Sequence, residues 1–399
     1  MIPIDNIYKA AEIIKKTVIR TPLVYSPTMS RIFGADIWLK LENLQKTGSF
    51  KIRGAAYKIL TRKKEICPGG VVAASAGNHA QGVALAATNA GIKSTIVMPE
   101  WASISKQEAT LSYGGKVVLA GQSIGESLKK AREIAEKGKT FIHPFDDLDI
   151  ITGQGTIGLE ILEDLKDADM LLVPIGGGGL ISGTACAAKH LNPGIKIIGV
   201  QAAFCPSAYQ SFLKGNISLV KSRLSIADGI NVRQTGRLNF QIIKKYIDDI
   251  VLVKEEHIAA AILMLLERKK ILAEGAGAVP LAALINRAVK IHPNTKIVLI
   301  ISGGNVDSPL VGRIIQKGLL KNGRLMRVKL HLNDIPGSLS NLLSLIAGLK
   351  ANILHIYHDR HIQDMALNMT YVELELETRG HDHINEIQES LNNSGYKSV

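Results

Sequence analysis

The residues best suited to chemistry sit in short turns, and Lys51 is the first of them. It lies in Lys46-Thr47-Gly48-Ser49-Phe50-Lys51-Ile52-Arg53-Gly54. A strand-like run at 36–42 leads in, and a helix-like run at 53–61 follows. The amine therefore falls at or just inside a helix start, beyond a strand's carboxyl end, where open α/β sheets hold ligands. Its neighbours Phe50 and Ile52 are apolar. Desolvation there lowers a lysine pKa and makes the amine a nucleophile toward carbonyl compounds.

Three other turns have the same setting. Ser75-Ala76-Gly77-Asn78-His79 follows a strand-like run and opens a helix, so its N–H groups suit an anion. Gly176, Gly177, Gly178 and Gly179 also lie between strand and helix. Four residues without Cβ let backbone amides wrap an oxyanion closely. No Gly-Lys-Ser/Thr follows, and there is no G-x-G-x-x-G with a ribose-binding acid, so a phosphate monoester on a small cofactor fits better than a nucleotide. Ser302-Gly303-Gly304-Asn305 ends the apolar run 297–301. Taken singly, these are a solvated lysine, a helix cap, a packing turn and a strand-to-helix turn. Together they offer an amine, a phosphate cradle, an amide and a hydroxyl, the set that pyridoxal 5'-phosphate needs.

With these motifs the chain resembles the serine/threonine dehydratases of the tryptophan-synthase-like class of pyridoxal-phosphate enzymes. The resemblance covers about residues 4–320. It also rests on Arg20-Thr21-Pro22-Leu23 and Gly153-Gln154-Gly155-Thr156. It implies a two-lobed fold type II and β-elimination of L-threonine, and of L-serine, to 2-oxobutanoate, or pyruvate, and ammonia. It further implies that Lys51 carries the cofactor as a Schiff base and acts as general base. Gly176, Gly177, Gly178 and Gly179 would hold the phosphate. Asn78 would bond the ring hydroxyl, Ser302 would face the ring nitrogen, and Phe50 would pack beside the cofactor. The substrate carboxylate falls to the turn of Ser75, Ala76, Gly77, Asn78 and His79.

Two departures narrow this. Racemases of the family resemble the pattern but carry a serine where Ala76 stands, so Ala76 favours elimination without racemisation. Relatives with a divalent-metal site use carboxylates in a stretch that here, at 199–207, has no Asp or Glu; no metal is expected. Two alternatives stay open: a β-replacement enzyme of the same fold, whose lysine motif differs, and a non-catalytic amino-acid sensor.

The elements that must position these groups are legible as alternating short apolar runs and helices, from 71 to 301. That rhythm means parallel sheets covered on both faces. More than seven strands argue for two lobes, the smaller at about 45–145. Near residue 322 the rhythm becomes β-α-β-β-α, a ferredoxin-like order, with Lys321-Asn322-Gly323 as linker. The expected domains are 1–321, catalytic, and 322–399, regulatory. The tail resembles an ACT domain through Asp334-Ile335-Pro336-Gly337-Ser338-Leu339. The implied partner is a branched-chain amino-acid effector, and a homodimer or homotetramer is expected.

Composition excludes several classes. Net charge is +13, but the excess is spread in short runs without interleaved aromatics, so no nucleic-acid partner is expected. The three cysteines, Cys67, Cys186 and Cys205, form no Cys-x-x-Cys pair and suit a reducing compartment. The longest apolar run, 258–266, is too short to span a bilayer. A cytoplasmic protein is expected.

Overall fold

The computed structural model describes residues 2–361 and 365–396; Met1, and positions 362–364 and 397–399 of the expected 322–399 domain, lie outside the described residues. Thirteen strands lie among those described: β1 (Leu23–Tyr25), β2 (Asp36–Leu41), β3 (Val71–Ala74), β4 (Ser94–Met98), β5 (Lys116–Leu119), β6 (Thr140–Phe141), β7 (Met170–Pro174), β8 (Lys196–Ala202), β9 (Asp249–Val253), β10 (Lys296–Ile301), β11 (Leu325–Asn333), β12 (Asn352–Asp359) and β13 (Met369–Glu377). The chain divides into two compact units, Met1–Asp307 and Ser308–Val399.

The first unit holds two sheets. The smaller has order β5-β4-β3-β6 and is parallel throughout. On one face Ile96 and Met98 pack with Ile52, Ala56 and Ile59 of the helix Lys51–Thr61 and with Val83 and Ala87 of the helix Asn78–Asn89. On the other, Val72 and Val97 meet Leu128 and Ala131 of the helix Ile124–Glu136. The larger sheet has order β1-β2-β10-β7-β8-β9, with only β1 antiparallel. Its central strands β7 and β10 bury nearly every side chain, which is why they read as unbroken apolar runs. The helix Gly275–Ile285 lies against it and is buried along almost its whole length. An apolar helix without a polar face must be covered on all sides.

Two pairings bring distant sequence together. β2 and β10 run in parallel register from Asp36↔Lys296 to Leu41↔Ile301. Their carboxyl ends therefore lie side by side, and a bridge between Ser49 and Gly303 continues the contact. Separately, the helix Lys51–Thr61 crosses the helix Leu148–Asp164 at two glycines. A Cβ on Gly153 would stand 2.7 Å from the Gly54 Cα, and one on Gly54 would stand 2.8 Å from the Ile150 carbonyl oxygen. Gly153-Gln154-Gly155-Thr156 is thus a helix-crossing motif that seats the lysine-bearing helix.

The second unit is an antiparallel sheet of order β11-β13-β12. Val328, Leu330, Val372 and Leu374 pack on Leu342 and Ile346 of the helix Ser338–Gly348 and on Ile387 and Leu391 of the helix His381–Asn393. Gly337, at φ 93°, makes the turn into the first of these helices, a conformation open to glycine. The helix Ser308–Lys321 belongs to this unit and lies against β11. The units therefore divide at 307/308, ahead of the linker expected at Lys321-Asn322-Gly323.

Candidate active site

Lys51 is the first residue of its helix, and Phe50 precedes it as cap. The Phe50 N–H donates to the Ser302 carbonyl oxygen at 3.1 Å, so the lysine turn is tied directly to the end of β10. The Lys51 Nζ donates to the Pro144 carbonyl oxygen at 3.0 Å and lies 5.1 Å from the Phe50 ring centre. Burial pushes its pKa down to about 8, and Glu274 opposes the shift. Ser302 is 2% exposed, at the carboxyl end of β10.

The Ser75 turn opens the helix Asn78–Asn89. The Ser75 Oγ accepts from the Gly77 N–H at 3.1 Å. Space beside Gly77 is open, since a Cβ there would meet nothing within 4 Å. The N–H groups of Asn78 and His79 stand at the helix start, where no intrahelical acceptor exists. Ala76 packs against the small-sheet core. The His79 side chain is 3% exposed and turns back onto the Ile142 carbonyl oxygen at 3.1 Å. Burial, with Lys51 adding to it, pushes its pKa down to about 3, so the ring is neutral and its Nε2 is the donor. What His79 offers the cleft is its backbone.

Gly176, Gly177, Gly178 and Gly179 follow β7 and start the helix Gly179–Leu191. Gly178 has φ 100°. A Cβ on Gly177 would stand 2.4 Å from the Phe145 ring, and one on Gly178 would stand 2.8 Å from the Asn239 Cβ. Only bare backbone fits here. Phe145 follows Pro144, the acceptor of Lys51, so one segment touches both the amine and the glycine loop. The Phe145 ring meets His143 edge to face at 4.9 Å.

Sequence reasoning missed Glu274, assigned no role to Asn305, and missed the 143–145 segment. The Glu274 Oε1 accepts from the Asn78 Nδ2 at 2.7 Å. The Asn305 Nδ2 donates to the Asn78 Oδ1 at 2.8 Å and to the Thr47 carbonyl oxygen at 2.8 Å. A signal for Glu274 was present: it is one acid among Ala273, Gly275, Ala276 and Gly277, at the mouth of an apolar helix. Such a carboxyl is buried without a solvated face. Arg53 was also passed over. Fully buried, it grips Glu42 with two hydrogen bonds of 2.8 Å each and bonds Glu160 at 2.6 Å; Lys40 also reaches Glu160. Burial alone would raise the Glu42 pKa, but Arg53 holds it below the usual carboxylate value.

This arrangement fits a phosphorylated aldehyde: a desolvated amine, a loop at the next strand end that only bare backbone fits, and a serine at the end of β10. The comparisons bear on it directly. Residues 14–303 match the family described as pyridoxal-phosphate dependent enzyme. The chain is a member of that family. It is 48% identical over 399 residues to the L-threonine ammonia-lyase of Thermotoga maritima, covering 100% of this chain and 99% of that protein. The maize serine racemase structure superposes with TM-score 0.75 at 37% identity, covering 80% of this chain and 98% of that one. The processed form of threonine deaminase isoform 2 from Solanum lycopersicum gives TM-score 0.73 at 36% identity, covering 79% of this chain and 89% of that one. Membership fixes the cofactor as pyridoxal phosphate and the catalytic unit as fold type II.

Proposed function

We propose that this lyase is a threonine ammonia-lyase, which eliminates water from L-threonine, and from L-serine, to an enamine whose imine form then takes up water and releases ammonia, leaving a 2-oxo acid. The observation that carries the reading is the half-buried Lys51 amine, its pKa near 8, anchored at the strand end that also presents Ser302. Near-full-length similarity to L-threonine ammonia-lyases supports the substrate.

The cofactor, when bound, supplies an aldehyde for amines and a conjugated ring that takes up negative charge from the substrate Cα. Lys51 would hold it, Gly176, Gly177, Gly178 and Gly179 would cradle its phosphate, and Asn78 and Ser302 would meet its ring oxygen and nitrogen. Phe50 would flank it. The N–H groups at the Ser75 to His79 turn bind the substrate carboxylate and fix the Cα–H bond toward Lys51. The Lys51 Nζ, neutral at modest cost, accepts the Cα proton as general base. Ser302 carries a hydroxyl where a carboxylate would keep the ring nitrogen protonated, so the bound cofactor would be a weaker sink for charge and would favour loss of the β-hydroxyl over other outcomes. Ala76 has no group to return a proton on the opposite face, which separates this site from racemases.

The second unit is read as an ACT regulatory domain. Its sheet order and the Asp334 to Ser338 turn support that reading. Its effector would be a branched-chain amino acid, and the chain would work as a homodimer or homotetramer. The deciding experiment measures 2-oxo acid release from L-threonine and L-serine, with and without isoleucine or valine. Turnover of threonine without racemised substrate is the expected result. Release of neither 2-oxobutanoate nor pyruvate would overturn the assignment.

A further inference from the structure

The amide of Asn78 is held from both ends. Its Oδ1 accepts from the Asn305 Nδ2, whose donor character is itself fixed, because the same nitrogen also donates to the Thr47 carbonyl oxygen, an acceptor only. Its Nδ2 donates at 2.7 Å to the Glu274 Oε1. An amide nitrogen carries two N–H groups, so one remains for a ligand. Glu274 is itself rigidly placed. It caps the helix Gly275–Ile285, its N–H donates to the Gly303 carbonyl oxygen at 3.0 Å, and the residue is only 5% exposed. Gly303 passes beneath both groups: a Cβ there would stand 2.5 Å from the Glu274 Oε1 and 3.2 Å from the Asn78 Nδ2.

We infer that Glu274 is a positioning residue that locks the Asn78 amide, so that its second N–H faces the cofactor's ring hydroxyl oxygen. The inference rests on the assignment of Asn78 to that oxygen. Without a strong acceptor on the Nδ2 side, only the Asn305 contact would oppose rotation of the amide about its terminal torsion, which is broad for Asn. Rotated, it would present a lone pair to an oxygen that is itself electron-rich. A carboxylate acceptor also polarises the amide and strengthens the second N–H as a donor.

The carboxyl is poised to titrate. Burial, with Asp228 adding to it, raises its pKa to about 7, while Asn78, Lys106 and Lys51 oppose the rise. Above that pH the carboxylate holds Asn78; below it, protonation loosens the hold. Cofactor affinity should therefore decline as pH falls from 8 to 6 through this group.

The test measures pyridoxal phosphate binding to the cofactor-free protein, by absorbance and by quenching of intrinsic fluorescence. It uses wild type, N78A, E274A, E274Q and the N78A/E274A pair. One lost hydrogen bond is about tenfold in Kd. N78A and E274A should each weaken binding by about that factor, and the double variant should be no weaker than N78A alone. E274Q keeps an acceptor oxygen and should restore binding to within about threefold of wild type, while its affinity keeps the rise toward pH 8 that Lys51 contributes and loses the part that titrates near 7. E274A binding like wild type, or adding its full effect on top of N78A, overturns the inference. N78A binding like wild type removes Asn78 from the ring hydroxyl, and the inference falls with that assignment. Should E274A fail to fold, as judged by its melting curve, E274Q and its pH profile decide: a pH response unchanged from wild type refutes the role.

Discussion

The proposed function concentrates the chemistry in one amine, that of Lys51, whose pKa is lowered mainly by burial. Because the neutral form reacts, cofactor uptake by the cofactor-free protein should accelerate as pH rises through about 8 and level off above it. Stopped-flow absorbance checks this. Lys51→Ala should lower turnover by about a thousandfold or more and remove the lysine-linked visible absorbance. Gly177→Ala drives a methyl into the Phe145 ring, so the loop must shift. Overpacking of this kind costs about 1–3 kcal/mol. Cofactor titration should show at least tenfold weaker binding, partly restored by a second change, Phe145→Ala.

Among the elements, the helix that carries Lys51 depends on buried charge as much as on apolar packing. Arg53, Lys40, Glu42 and Glu160 balance as two positive and two negative charges. Arg53→Met would leave two carboxylates facing Lys40 alone. Removing one partner of a buried network costs about 3–5 kcal/mol, so the urea midpoint should drop sharply, with Arg53→Lys recovering little because the two-pronged grip on Glu42 is lost. This scale also separates what was legible in the sequence from what was not. Strand–glycine–helix turns repeat a local pattern, and the Ser75, Gly176 and Ser302 turns stood out for that reason. Glu274 and Arg53 are single letters whose partners lie far away in sequence, so only the folded chain gives them meaning. The helix Arg237–Tyr246 was invisible for a related reason. Its cap is the Asp146 carboxylate, which accepts the N–H groups of Arg237 and Leu238 at 2.9 Å each. Gly236 stands where a local start signal would be. The change in rhythm near residue 322 suggests a linker there, whereas the compact units part at 307/308, because the helix Ser308–Lys321 continues the helical pattern of the first unit while packing with the second.

At the scale of the whole molecule, the residues proposed to carry the chemistry all lie within Met1–Asp307. A chain ending at 307 should therefore keep turnover of threonine within about twofold and lose any response to isoleucine or valine. A cut at 321 instead would strand the helix Ser308–Lys321 without β11, its packing partner, and should give a protein more prone to aggregate. Kinetics with each effector, together with light scattering, distinguish the two. A retained response in the shorter chain would place control inside the catalytic unit.

The pairing of β2 with β10 sets a schedule for biosynthesis. β10 is the last strand of its unit to leave the ribosome, yet it occupies a central slot between β2 and β7. Until it arrives, both neighbours expose unpaired edges, the kind of surface that recruits wrong partners. The nascent chain must hold its first strands open for most of translation, and the reactive turn can be assembled only when nearly the entire catalytic unit has been made. Messages truncated shortly before codon 296 should thus yield insoluble, colourless polypeptide rather than a weakened enzyme.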